Sequence, residues 1–130
     1  MWVFTDNAFL SVVKKRGHDD LCVRARAADD LDAFRRYCPE LGPAIMMAGT
    51  DYPVRAFVSR EALAQAVARA ILEIDYENFK GRVAETLGPD RAAVYHDIWH
   101  SLLALEREPR RGAPRVKPGK RPGRSKKGVS

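Results

Sequence analysis

The stretch Leu21–Cys38, LCVRARAADDLDAFRRYC, decides the fold because two periodic patterns meet in it. From Leu21 to Ala27, apolar residues alternate with a second set that includes Arg24 and Arg26. A period of two with one polar face is typical of a half-exposed strand in an antiparallel sheet. The first seven residues of the stretch therefore predict such a strand.

The rest of the stretch predicts a helix of about nine residues. Asp29 or Asp30 is suited to the N-cap, where a side-chain oxygen accepts a backbone N–H. The apolar side chains that follow recur at helical spacing and should face the core: Leu31, Phe34 and Tyr37 or Cys38.

Strand-forming segments lie on both sides of this unit. Trp2–Thr5 and Ala8–Lys15 are rich in β-branched and aromatic residues, and Asp6-Asn7 between them favours either a hairpin turn or a bulge in one long strand. Further along, the apolar run Ala44–Ala48, the turn Gly49-Thr50-Asp51 and the segment Tyr52–Val58 predict a second hairpin.

Three more helices follow. Ser59 caps a predicted helix over Arg60–Ile74, with an inward stripe that includes Leu63, Val67, Ile71 and Ile74. Asp75 is the expected cap of a helix over Tyr76–Leu87. Gly88 ends that helix, and Pro89 or Asp90 begins the last one, which extends to about Glu106. The apolar positions of this last helix are Val94, Ile98, Trp99, Leu102, Leu103 and Leu105.

The predicted class is α+β: a four-stranded antiparallel sheet in hairpin-helix-hairpin-helix order, with helices on one face and two further C-terminal helices. Val23-Arg24-Ala25 leads into the first helix, and Val54-Arg55-Ala56 leads into the second. If this echo reflects an internal duplication, two ββα units should superimpose.

Charge divides the chain into a compact domain, residues 1–106, and a basic tail, residues 107–130. The tail holds ten Lys or Arg against one Glu, a balance of +9, whereas the domain holds 13 basic and 16 acidic residues, a balance of −3. Together they give the +6 of the whole chain. Four prolines and almost no large apolar side chains in the tail predict disorder.

A flexible cationic tail binds polyanions by releasing their counterions, and without aromatic residues it has no base-stacking platform. Nucleic acid is the favoured partner, an acidic protein surface is the competitor, and a solubilising extension with no partner is the third reading. The tail cations that would contact the polyanion are Arg110, Arg111, Arg115, Lys117, Lys120, Arg121, Arg124, Lys126 and Lys127.

His96 and His100 raise the alternative of a metal-binding protein or a small metal-dependent enzyme. They are four residues apart on a predicted helix, so both rings project from one face. Zinc needs at least three protein ligands in a catalytic site, so a third would have to come from elsewhere in the chain: His18, Asp51, Asp75 or Asp97.

A second hypothesis places a ligand or partner surface where the hairpin turn meets the third helix. Its residues would be Asp51, Tyr52, Arg55, Asp75, Tyr76 and Asn78, a polar and aromatic set that suits a pocket. The sequence contains no glycine-rich phosphate loop, so we expect no cofactor and favour a non-enzymatic protein over a small enzyme.

The expected compartment is the cytoplasm. The N-terminus has no basic leader with an apolar segment, and no apolar run approaches the roughly 18 residues that a spanning helix needs. Cys22 and Cys38 form no CxxC pair, so both should be reduced, buried thiols.

Four motifs resemble those of a group of short uncharacterised bacterial proteins. They are Met1-Trp2-Val3-Phe4-Thr5 with Phe9–Val13, Thr50–Pro53, Ile74–Lys80 and Val94–Trp99. The resemblance covers residues 1 to about 104 and implies a bacterial cytoplasmic protein, but it transfers no catalytic role. The sequence thus favours a small binding or accessory protein.

Overall fold

The computed structural model of the chain describes residues 1–107. The elements in this part of the chain are β1 (Trp2–Thr5), β2 (Ala8–Lys14), β3 (Leu21–Ala25), α1 (Ala28–Phe34), β4 (Ile45–Met46), β5 (Val54–Val58), α2 (Arg60–Leu72), α3 (Phe79–Leu87), α4 (Pro89–Leu102) and a 3₁₀ turn (Leu103–Glu106). The predicted disorder of the tail, and the role of its cations from Arg110 to Lys127, concern residues outside this described part.

The five strands form one antiparallel sheet in the order β1-β2-β3-β5-β4, so the α+β class is confirmed. The prediction of four strands was wrong. Thr5 pairs with Ala8, which leaves Asp6 and Asn7 as a two-residue turn, and the N-terminal segment folds into a hairpin. Thr5 Oγ1 lies 2.8 Å from Asn7 Oδ1 and closes that turn.

The centre of the sheet pairs the two repeated tripeptides with each other. Val23 lies opposite Ala56, Arg24 opposite Arg55, and Ala25 opposite Val54. This register gives β3 and β5 a local two-fold relation about the arginine pair. The superposition of whole ββα units stays a prediction.

One face of the sheet forms the core. Leu10, Val23 and Ala56 are fully buried there, and α1 and α2 cover them with side chains such as Phe34 and Leu63. Both cysteines are buried free thiols, as predicted. Cys38 belongs to this core, whereas Cys22 lies opposite Phe57 on the other face of the sheet.

Two predicted helix caps were wrong, because distant arginines hold the aspartates concerned. Ala27 precedes α1 with no side-chain cap, and Asp30 instead accepts hydrogen bonds from Arg91. Asn78, not Asp75, caps α3, accepting the N–H of Gly81 at 2.7 Å. Asp75 accepts a hydrogen bond from Arg82. Ser59 caps α2 as predicted, accepting the N–H of Ala62 at 3.2 Å.

The helical hairpin α3–α4 contacts the sheet mainly through aromatic rings at the β1–β2 end. Tyr95 meets the Phe4 ring edge to face at 5.1 Å and stacks on Phe79 at 6.1 Å. Several apolar positions that were expected to face the core are exposed instead: Val94, Trp99, Leu102 and Leu105 on this hairpin, and Ile71 and Ile74 at the end of α2. Among residues 1–107, no helix combines the length and the apolar character that crossing a bilayer requires.

Candidate functional site

The second face of the sheet is not covered by α1 or α2, and we call it the open face. Alternate residues of neighbouring strands align across it, because antiparallel partners point to the same side. The register places one row of side chains across all five strands: Trp2, Ser11, Arg24, Arg55 and Ile45. Trp2 and Ile45, at the two edges, are 65% and 44% exposed.

Tyr52 organises the arginines of this face. Its ring is 4% exposed, and the guanidinium carbons of Arg24 and Arg26 lie 4.5 and 4.8 Å from its centroid. Arg55 donates from Nε to the Tyr52 carbonyl at 3.1 Å. Cation–π contacts of this kind hold guanidinium groups in place, so Tyr52 holds two arginines at its ring and a third at its backbone carbonyl.

Arg24 has unused hydrogen-bonding capacity. Its Nη2 donates to Ser11 Oγ at 2.7 Å, but its buried Nε has no acceptor among the described residues. An arginine is a donor only, and its planar guanidinium group can bind two oxygens of a phosphate or a carboxylate at once. The row through the middle of the open face therefore contains a fixed cation with an unsatisfied donor.

A shallow concavity of about 370 Å³ adjoins this row, at the end of the sheet where β2 turns into β3. The His18 ring stacks on the Phe57 ring, with centroids 4.5 Å apart and planes 19° apart. Gly17, at φ +81°, allows the chain to reverse beside this stack. The concavity is lined by Lys15, Arg16, His18, Cys22, Ile45, Met47, Arg55 and Phe57.

The cations of the open face lack carboxylate partners. The ion pairs in residues 1–107 engage Arg35, Arg36, Arg82 and Arg91, which all lie on helices or at a helix end. In the same part of the chain, no carboxylate comes within 4.0 Å of the open-face cations Lys15, Arg16, Arg24, Arg26 and Arg55. The −3 balance of the domain therefore conceals a basic face.

Cys22 is the one thiol beneath this face. Burial raises its pKa, and the nearby cations Arg55 and Lys15 offset part of that rise. The thiol is therefore mainly protonated at neutral pH, and it contributes volume to the floor of the concavity rather than a nucleophile.

The residues of the predicted ligand surface lie in two places. Tyr52 and Arg55 are on the open face, with Asp51 exposed on the turn beside them. Asp75 and Tyr76 line a different cleft, between β1 and the ends of α1 and α2. Asn78 is exposed and caps α3.

The cleft around Asp75 has a volume of about 370 Å³, and its charges are paired with one another. Arg82 lies 2.6 Å from Asp75 and 3.7 Å from Asp6, and Arg36 lies 2.8 Å from Glu73. Burial, with Asp6 as the next cause, raises the pKa of the Tyr76 hydroxyl in this cleft. Three carboxylates face two guanidinium groups in this lining, so both of its arginines are already engaged and the cleft offers no unpaired cation to an anionic ligand.

The predicted metal pair is not joined by further ligands. His96 and His100 are both exposed, and His96 Nδ1 lies 3.1 Å from the ammonium of Lys80, which also stacks over Trp99 at 4.3 Å. Across residues 1–107, no three His, Cys, Asp or Glu side chains gather to hold a metal ion. His18, Asp51 and Asp75 lie elsewhere, on the sheet side and in the other cleft.

Sequence reasoning missed Lys15, Arg16 and Phe57 as site residues, and it considered His18 only as a third metal ligand. One signal was available: the alternation in β3 put Arg24 and Arg26 on its polar face. No pattern in the sequence could show that the six-residue connection between β2 and β3 would place the His18 ring on the Phe57 ring.

Comparison of the chain with family models, with curated proteins and with solved structures finds no match in any of the three.

Proposed function

We propose that this chain is a small polyanion-binding protein, with nucleic acid as its natural partner and the open face as its folded contact surface. The observation that supports the proposal is the collection of five cations on the open face that have no carboxylate partner within residues 1–107. Such a surface lowers its free energy by contacting a polymer of phosphates, because each contact releases condensed counterions.

The basic segment 108–130 extends the same chemistry. It adds nine Lys or Arg against one Glu to the same chain. Its cations would supply sequence-independent attraction, and the open face would supply a fixed geometry. In a cytoplasmic setting, which the proposal assumes, RNA and single-stranded DNA are the abundant polyanions of this kind.

Salt-dependent binding of the full-length chain to a fluorescent single-stranded oligonucleotide tests the role of the open face. The double variant Lys15→Ala/Arg16→Ala removes two of its cations. We expect the slope of log K against log salt to fall by about 1.4, since each phosphate contact on a single strand contributes about 0.7.

The matched control is Arg36→Ala/Arg60→Ala, which removes the same charge from exposed positions at the end of α1 and on α2. It should leave the slope within error of the unmodified chain. If both double variants lower the slope equally, net charge alone governs binding and the open face is not the contact surface.

A further inference from the structure

The stack of His18 on Phe57 has a property that a simple cationic patch does not need. Phe57 lies on β5, a central strand, so the sheet fixes the position of its ring. His18 lies in an exposed turn after Gly17, outside any strand or helix. One ring is held rigidly, and the other can leave without breaking a strand pairing.

The surroundings of the Phe57 ring match a nucleotide. Lys15, Arg16 and Arg55 line the same concavity and offer positive charge on its rim, while Ile45 and Met47 give it an apolar wall. A planar ring flanked by cations is the arrangement on which proteins stack the bases of single strands. Bases inside a duplex already stack on each other and present no free face to this ring.

We infer that Phe57 is a stacking platform for one base of single-stranded nucleic acid, and that the His18 ring covers this platform in the free protein. This inference rests on the proposed function and adds the class of ligand, a single strand with an exposed base. The base replaces the imidazole on the Phe57 ring, and the neighbouring cations contact the phosphates on either side of that base.

Equilibrium binding of the full-length protein to three ligands tests the inference. The ligands are an oligothymidylate of 15 nucleotides, an abasic oligomer of the same length, and a 15-base-pair duplex, all at one moderate salt concentration. We expect the oligothymidylate to bind roughly tenfold more tightly than the abasic oligomer, within the range that stacking of one base gives.

Two substitutions at position 57 locate the effect. Phe57→Leu keeps an apolar side chain in the strand but removes the aromatic face, so the two oligomers should then bind equally. Phe57→Trp restores a larger ring and should restore the preference. Thermal melts of both variants verify that the fold is intact.

His18→Ala removes the cover without touching the platform. We expect it to tighten oligothymidylate binding several-fold more than binding of the abasic oligomer. If the substitution instead abolishes the preference for bases, His18 itself makes the contact and its assignment as a cover is wrong.

The result that overturns the inference differs from the one that overturns the proposed function. Equal affinity for the oligothymidylate and the abasic oligomer, or an effect of Phe57→Leu on duplex binding as large as its effect on oligothymidylate binding, eliminates the stacking platform but leaves salt-dependent polyanion binding standing. If polyglutamate of equal charge competes as well as the oligothymidylate, the partner is an acidic protein and the inference fails. Absence of binding to every polyanion eliminates both.

Discussion

The substitution Asp30→Asn tests the contact that joins α1, the sheet and the α3–α4 hairpin. The Asp30 carboxylate is 5% exposed and accepts the N–H of Phe9 at 2.8 Å. Arg91 donates to both of its oxygens at 2.8 Å, and this hydrogen bonding raises the pKa of the guanidinium above its ordinary value. One side chain thus connects three elements that are distant in sequence.

The expected cost follows from burial. Removing one partner of a fully buried ion pair costs about 3–5 kcal/mol. The Arg91 side chain is 26% exposed, so water compensates part of the loss, and the amide oxygen of Asn can still accept the Phe9 N–H. We therefore expect a loss of about 2–3 kcal/mol, which lowers the melting temperature of a domain near 100 residues by roughly 10–20 °C.

Urea unfolding at pH 7, followed by circular dichroism, measures this loss. The matched control is Asp29→Asn, an exposed neighbour in the same first turn of α1, which should change the free energy of unfolding by no more than about 0.5 kcal/mol. Arg91→Gln should cost much less in the Asp30→Asn background than alone. Equal effects of the two aspartate substitutions, or purely additive effects with Arg91→Gln, would refute the reasoning.

Three further results are expected. Burial raises the pKa of Tyr95, so this hydroxyl ionises more easily in the unfolded chain than in the folded one. The free energy of unfolding should therefore fall as the pH rises above about 10, by at most about 1.4 kcal/mol per pH unit from this group. Tyr95→Phe should reduce that slope in urea titrations at alkaline pH. Burial also raises the pKa of Cys22 and Cys38. At pH 8 an aromatic disulfide reagent should therefore label both thiols only as fast as the native protein opens. Immediate labelling would contradict their burial. Asn78→Ala removes the cap of α3 and should cost about 1 kcal/mol in urea unfolding. The control Asn78→Asp keeps a capping oxygen and should cost much less.

Local patterns predicted the strands because the information for them is local. The alternation in Leu21–Ala27 and the turn residues Asp6-Asn7 act over a few residues, and the structure has β3 and the β1–β2 turn there. The caps of α1 and α3 could not be predicted in the same way. Asp30 interacts with a residue 61 positions away, and Asp75 with one seven positions away, so competition from Arg91 and Arg82 decided their roles.

The last helix illustrates a second limit. The sequence predicted a helix from Pro89 or Asp90 to about Glu106, and the structure has α4 from Pro89 to Leu102 followed by a 3₁₀ turn to Glu106. Periodicity could not show which side the rest of the protein covers. Only Tyr95 is buried on α4, whereas Trp99 is 49% exposed. An apolar stripe indicates a surface that favours contact, and it does not identify the element that makes the contact.

The candidate site depends on where the charged side chains lie in the fold, and the net charge of the domain contains no information about their positions. The domain balance of −3 argues against nucleic-acid binding only if its charges are mixed evenly. Carboxylates pair with arginines on and around the helices, for example Asp30 with Arg91, and this leaves the open-face cations without partners in residues 1–107. Tyr52 and Arg55, two members of the predicted ligand surface, lie together on the open face, but only the sheet register adds Arg24 to them.

Salt dependence separates the contribution of the open face from that of the basic segment. Nine Lys or Arg lie in residues 108–130, and five line the open face. If all of them contact phosphates of one single strand, the slopes they contribute are about 6 and about 3.5. A chain ending at Arg107 should therefore keep roughly a third of the full slope, provided its circular dichroism matches that of the full chain. A slope near zero for this shorter chain would mean that the open face makes no phosphate contacts, and an unchanged slope would mean that the basic segment makes none.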